Sequence, residues 1–272
     1  MSVRRAAVAG QFYPGSKDHL KAEVSAYLQN NASAIKNTAI WGVMLPHAGH
    51  IFCGNIIGKT LASWKVPDRL IILCPNHTGY GMPLGVWAEG EWQTPLGTVR
   101  IDEQLAAELL QSGAGFEPDL ASHLREHSIE VLLPFLQELN RNISIVPVTV
   151  GIRNASILEN AARGLAEVLK RHPEAGVIVS SDMNHYENHN VTLAKDDLAL
   201  ERALAGDAEG LLKVVEKEKI SMCGAGPLAI ALYAAKILGR HGVELTDHTT
   251  SGPVSSDFAH TVGYAGLHLL EN

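Results

Sequence analysis

AIWGVMLPHAGH, residues 39–50, decides how the chain is read. Its apolar run from Ala39 to Leu45 is short, carries Ile and Val, and is stopped by Pro46, so it reads as a buried strand rather than a helix. The loop that follows holds His47 between Pro46 and the small residues Ala48 and Gly49, which restrict where the ring points and leave room beside it. The device recurs in CPNHTGYG, residues 74–81, where Leu70 to Cys74 is the apolar run and His77 the imidazole. Runs at Ile143 to Val150 and at Gly176 to Ser180 belong to the same class, and the latter opens into SSDMNHY, residues 180–186. Strand ends are where an α/β sheet presents side chains to a ligand crevice. Imidazoles at several of them, with a thiol nearby, form the pattern of a metal site assembled from distant segments.

Between these runs lie helical patterns. Ser16 to Asn30 has Ser16 as N-cap and Leu20, Val24, Tyr27 and Leu28 on one stripe; Cys53 to Trp64, Glu103 to Ser112, His127 to Leu139 and Ser156 to Arg171 follow. Alternating strand and helix predicts an α/β fold with a mostly parallel sheet covered on both faces. Leu84 to Arg100, with Trp87 and Trp92 around Gly90 and then TPLGTV, reads as a hairpin or flap beside that sheet. Leu193 to Lys219 reads as two helices parted at Ala205 to Asp207, and Pro227 to Leu238 as a third with proline in its first turn. Val243 to His248 and Thr261 to Leu269 are the last strands. At 272 residues and 46% hydrophobic, without long linker or repeat, a single domain over residues 1–272 is expected. Trp64, Trp87 and Trp92 either cover the core or form a self-association surface.

A formal charge of −7 with scattered acids and bases argues against a nucleic-acid partner. The first twenty residues lack a secretory apolar region, and no apolar run approaches the roughly 18 residues of a membrane helix, so a soluble, cytoplasmic protein without membrane contact is expected. Cys53, Cys74 and Cys223 lie far apart, with no CxxC pair, which points to individual thiols rather than disulfides or a zinc ribbon. Among thirteen histidines, His19, His172, His241 and His268 sit in polar or terminal contexts and read as surface groups.

The residues that carry chemistry are few. His47 and His77, leaving adjacent strand ends about 4.8 Å apart, reach a common ion. Cys223, in SMCGAGP just before a helix start, gains thiolate character from the helix N-terminus. Asp182 and His185 are three apart and share a face if the chain turns helically there, with Asp182 orienting His185 or assisting as acid or base. Glu126 and Glu130 are explained by a helix first turn, whereas a cationic His127 at a helix start is unfavourable, which makes His127 a neutral partner or a substrate contact.

VRRAAVAGQFYPGS, LPHAGHIFCG, LCPNHTG, TPLGTVRID, EHSIEVLLPFLQ, IVPVTVG, VIVSSDMNHY and MCGAGP, in that order along nearly the whole chain, resemble the Memo family, protein B of the AmmeMemoRadiSam grouping. The resemblance implies a three-layer αβα fold with a mostly parallel central sheet, similar to class III extradiol dioxygenases. It implies a metal held by His47, His77 and Cys223, with Asp182 and His185 beside them. A thiolate in place of a carboxylate ligand moves the preference toward iron or copper, with zinc possible. The leading expectation is therefore a metal-dependent redox protein, dioxygenase-like, with His185 as acid or base, Asp182 assisting and His127 shaping the pocket. A zinc-dependent hydrolase using the same ligands and a non-enzymatic module that binds a peptide or protein are the alternatives. An unknown small molecule or peptide is the expected ligand, and the resemblance adds AMMECR-like and radical SAM proteins as partners.

Overall fold

The computed structural model describes residues 2–31, 37 and 39–271. A short β1 (Val3–Arg4) is followed by α1 (Lys17–Asn30), which starts after Ser16 as expected and buries Leu20 and Val24. β2 (Ile40–Leu45) is buried along its whole length, and α2 (His50–Ala62) starts three residues earlier than its apolar pattern. β3 (Arg69–Pro75) is the next core strand. The flap becomes β4 (Leu84–Val86) and the antiparallel hairpin of β5 (Glu91–Thr94) with β6 (Gly97–Ile101). After α3 (Glu103–Gln111) and the two-residue β7 (Glu117–Pro118) comes a run of turns, and only then α4 (Leu133–Leu139).

The expected helix over His127 to Leu139 is thus only its second half. Pro134 cannot donate to a carbonyl one turn back, so it suits a helix start and not a helix middle. The remaining elements are β8 (Ser144–Val150), α5 (Ala155–Arg171), β9 (Gly176–Ser180), β10 (His185–Glu187), α6 (His189–Leu204), α7 (Ala208–Lys217), α8 (Ala225–Leu238), β11 (Gly242–Thr250), α9 (Gly252–Ser255) and β12 (Thr261–Leu270).

The strand order is β1-β5-β6-β8-β3-β9-β2-β12-β10, with β11 also on β12 and β4 on β8. From β6 to β2 every pairing is parallel, and the antiparallel strands lie toward the edges. Side-chain alternation divides the core in two. Met44, Ile71, Leu73, Val146, Val148, Val177 and Val179 point to one face, where α3, α5, α7 and α8 pack. Val43, Leu45, Leu70, Ile72, Ile145 and Ile178 point to the other, covered by α1, α2 and α4. The result is a three-layer αβα arrangement whose central strands are buried on both faces, which is why their sequences are near-continuous apolar runs.

Trp64, Trp87 and Trp92 are buried, so they cover the core rather than a self-association surface. His268, read as a surface group, is buried in β12, where its Nε2 meets the Thr60 carbonyl oxygen at 2.8 Å. His172 is partly buried between Glu108 and Arg69. Neither the polar context of His172 nor the terminal position of His268 gave a sign of the buried partner. No helix among the described residues is long and apolar enough to cross a membrane.

Candidate metal centre

The carboxyl ends of β2, β3 and β9 open on one side of the sheet, and the loops that leave them carry His47, His77 and Asp182. His47 and His77 do not leave adjacent strands as expected, because β9 lies between β3 and β2. The side chains span that strand, and the two rings meet edge to face with centroids 5.2 Å apart. A third ring, His127, arrives from the turns before α4, 5.5 Å from His47 and stacked on His77 at 4.9 Å. Ligand nitrogens of His47, His77 and His127 all lie within 4.8 Å of one another. That spacing suits a single ion, with each nitrogen about 2.1 Å from it.

Partners behind two of the rings fix which nitrogen is free. Ser180 Oγ donates to the Ser128 carbonyl, so at 2.7 Å it accepts from His47 Nδ1, and the Nε2 lone pair of His47 is left facing outward. His77 Nδ1 donates to Glu126 Oε1 at 2.9 Å, and Glu126 Oε2 also accepts the His77 main-chain N–H. A carboxylate behind an imidazole orients the ring and raises the basicity of its other nitrogen. Glu126 therefore serves His77 and not a helix dipole, since no helix starts there. Ser128 donates to the same carboxylate. Burial opposes the ionised form of Glu126, but the His77 hydrogen bond and the charges of His77 and His127 outweigh it and hold the carboxyl well below its usual range.

Glu130 has an equally specific task elsewhere. It accepts from Arg4, from the main-chain N–H groups of Ala7 and Val8, and from the Tyr13 hydroxyl. Sequence reasoning passed over both acids because a first-turn explanation sufficed for them, although the partners of Glu130 are more than a hundred positions away and that of Glu126, His77, is 49 away.

The charge state suits coordination. Burial, and then the neighbouring His77 and His127, push the His47 pKa well below the ordinary value. Burial also lowers His127 and His185, so these three rings are neutral donors near pH 7. For His77 burial acts downward, but the hydrogen bond and charge of Glu126 raise the ring overall.

Cys223 adjoins the cluster through His47, with Sγ 3.4 Å from His47 Nε2 and accepting the Asp182 N–H at 3.2 Å. It is not a member of the compact nitrogen trio. Its expected thiolate character is not found: α8 starts two residues later, and burial, reinforced by Asp182, pushes the thiol up rather than down. The helix N-terminus does not offset this burial.

Asp182 and His185 do not share a helical face. Residues 181–184 are extended loop and His185 begins β10. The Asp182 carboxylate accepts the His47 N–H at 2.7 Å, and burial pushes its pKa up to about 7. His185 is held instead by Ser221 Oγ, which accepts its main-chain N–H. The His185 Nδ1 atom is shut off from solvent without a well-aligned partner.

His47, His77, His127, Asp182 and His185 all line one cavity of about 570 Å³, and Cys223 Sγ adjoins it at His47 Nε2. The remaining walls of the cavity are Gln11 and Phe12 from the N-terminal arm, Ala48, Gly49, Phe52 from α2, Tyr186, Val262 and Tyr264. The arm was legible only as a stretch that resembles the Memo family, without a role for Phe12, whose ring lies 4.7 Å from that of His127.

The sequence profile described as Memo-like protein matches residues 4–268. The chain belongs to the Memo family. A MEMO1 family protein of Sulfurisphaera tokodaii is 38% identical, covering 97% of this chain and 98% of the relative. Others from Pyrobaculum arsenaticum (37%, 98% and 99%) and Thermotoga petrophila (38%, 96% and 97%) match as fully. Among solved structures, the uncharacterized protein JW3007 of Escherichia coli K12 superposes with a TM-score of 0.58 over 84% of this chain and 98% of that one, at 11% identity. That likeness supports the αβα architecture of this Memo family chain and nothing finer. In this Memo family chain, His47, His77 and His127 lie close enough together to hold a metal ion.

Proposed function

We propose that this chain is a metal-dependent redox protein in which His47, His77 and His127 hold one iron or copper ion. The observation that carries the reading is the pair of partners behind His47 and His77, Ser180 and Glu126, which leave the two Nε2 lone pairs for a cation. Three imidazoles suit iron, copper and zinc alike. Cys223 joins as a fourth donor once a cation displaces its proton, and a thiolate suits the same three metals, so metal analysis decides among them. The ion would supply one-electron chemistry toward dioxygen or a small substrate in the cavity. His185, neutral and facing the same space, is the base, and Asp182, poised at about 7, is a proton store that also fixes the His47 loop.

Metal analysis of protein purified without oxygen tests this. One iron or copper per chain is expected, with affinity reduced at least tenfold in H47A, H77A and H127A and less in C223A. Equal metal content in wild type and H47A would overturn it. Turnover that consumes no oxygen, with zinc bound, would replace the redox reading by hydrolysis.

A further inference from the structure

We propose that Tyr186 is a ligand-contacting, specificity-determining residue of the histidine cavity, and that the ligand presents an aromatic ring to it while a polar end reaches the imidazoles. The inference rests on the metal-site reading only for that polar end. Three observations carry it.

Tyr186 has φ of 61°, a left-handed conformation that disfavours any side chain with a Cβ and that a tyrosine keeps only where the surroundings impose it. Here the imposition is a register shift, because β10 pairs with β12 through His185 and Glu187 and the intervening Tyr186 is bulged out. The strain brings no packing in return. The ring is 76% exposed, although it belongs to the wall of the cavity. A residue recruited for folding would bury that ring.

The surroundings say what the ring meets. Phe12, Phe52 and Tyr264 supply aromatic surface to the same cavity, Val262 adds apolar surface, and among the described residues no lysine or arginine lines it. Ring-on-ring contact is the interaction such walls reward, while an anion would find no side-chain counter-charge. The His185 ring also lines the cavity, and its centroid lies 5.8 Å from that of Tyr186. A ligand lying on Tyr186 therefore has an imidazole within one ring length.

Two probes that differ only by a ring test the proposal. Imidazole and 4-phenylimidazole are titrated into the full-length protein loaded with cobalt(II), following the visible absorption of the ion. Wild type is expected to bind 4-phenylimidazole about tenfold more tightly, Y186F to retain that preference, and Y186G to lose it with imidazole affinity unchanged. The glycine variant is expected to unfold within about 2 °C of wild type, because relief of strain offsets the added chain freedom. An undiminished preference in Y186G overturns the proposal. Failure of cobalt to bind at all removes the metal reading instead. In that event saturation transfer from metal-free protein to the phenyl protons decides, with transfer lost in Y186G in support and equal transfer against.

Discussion

Two buried carboxylates within this chain are treated in opposite ways. Glu130 is wholly enclosed and fully served, with a guanidinium, two main-chain N–H groups and a phenol on its oxygens. Asp182 is also buried, though it lines the cavity, but it has main-chain N–H groups and no hydrogen-bonded guanidinium, and its pKa rises to about 7. The first arrangement is what a buried charge needs to be tolerated. The second leaves the charge under-compensated, beside a His185 nitrogen without a good partner and a strained Tyr186. Satisfied polar groups tie the N-terminal arm to the core, while the under-compensated Asp182, the His185 ring and the strained Tyr186 meet at one cavity; Trp41, Trp92 and His123 keep buried nitrogens without partners elsewhere. Such concentration of local cost is expected where a ligand, rather than the fold, completes the interactions.

The comparison is broken most severely by E130Q. The change strands Arg4, whose guanidinium is 1% exposed, without its carboxylate and weakens the hold on Ala7, Val8 and Tyr13. Removal of one partner of a buried ion pair costs about 3–5 kcal/mol. The denaturant midpoint should fall accordingly, and because the arm carries Gln11 and Phe12, protease sensitivity between residues 4 and 13 should rise with it. A loss below about 1 kcal/mol would mean that the arm is held by something other than Glu130.

This contrast marks the limit of what the sequence conveys. The core strands were legible because parallel strands buried on both faces are continuous apolar runs, and β9 coincides with its run residue for residue. The strand-end histidines were legible because Pro and Gly isolate them in loops. Strand order was not, since a local pattern says nothing of crossovers, and the insertion of β9 between the two histidine-bearing strands was missed. The partners Glu126, Ser180 and Glu130 were illegible for the same reason: each acts across the fold, on His77, His47 and Arg4. Cys223 shows the complementary failure. Its place before a helix was read correctly, but the degree of burial, which decides its protonation, is a tertiary property.

A middle-sized effect concerns acid stability, and it adds to the comparison a buried base that lies outside the cavity. His123 lies beneath Trp87 and Trp92, with Nε2 3.1 Å from the Gly85 carbonyl oxygen and Nδ1 unpartnered, and burial lowers its pKa to about 4. In the unfolded chain the ring takes up its proton near 6.5, whereas the folded protein refuses it until about 4. The folded state is therefore favoured in full above 6.5, and that advantage is lost as pH falls from 6.5 to 4. The difference of about 2.5 units corresponds to about 3 kcal/mol. Urea unfolding of H123Q and wild type at pH 7 and pH 5 should show a shallower acid loss in the variant. Parallel curves would assign the acid sensitivity to the rings of the cavity.

The smallest effect has the reverse sign and tests the unsatisfied side directly. For Asp182 the folded-state pKa lies above the unfolded value near 3.9, so its contribution is favourable below that value and is lost as pH rises toward about 7. Above pH 7 the folded protein carries an ionised carboxylate that burial penalises. D182N keeps an oxygen to accept the His47 N–H and removes the charge, so metal-free D182N at pH 8 should be more stable than wild type, by about 1 kcal/mol once the new amide hydrogens are accommodated. E130Q and D182N are the same chemical change, carboxylate to amide, at two buried sites. If both destabilise, Asp182 is an ordinary structural acid and the cavity stores no unmet charge. If the signs differ, the chain gives up stability at Asp182 in order to keep a proton-exchanging group beside His47, which is the trade expected of a working site.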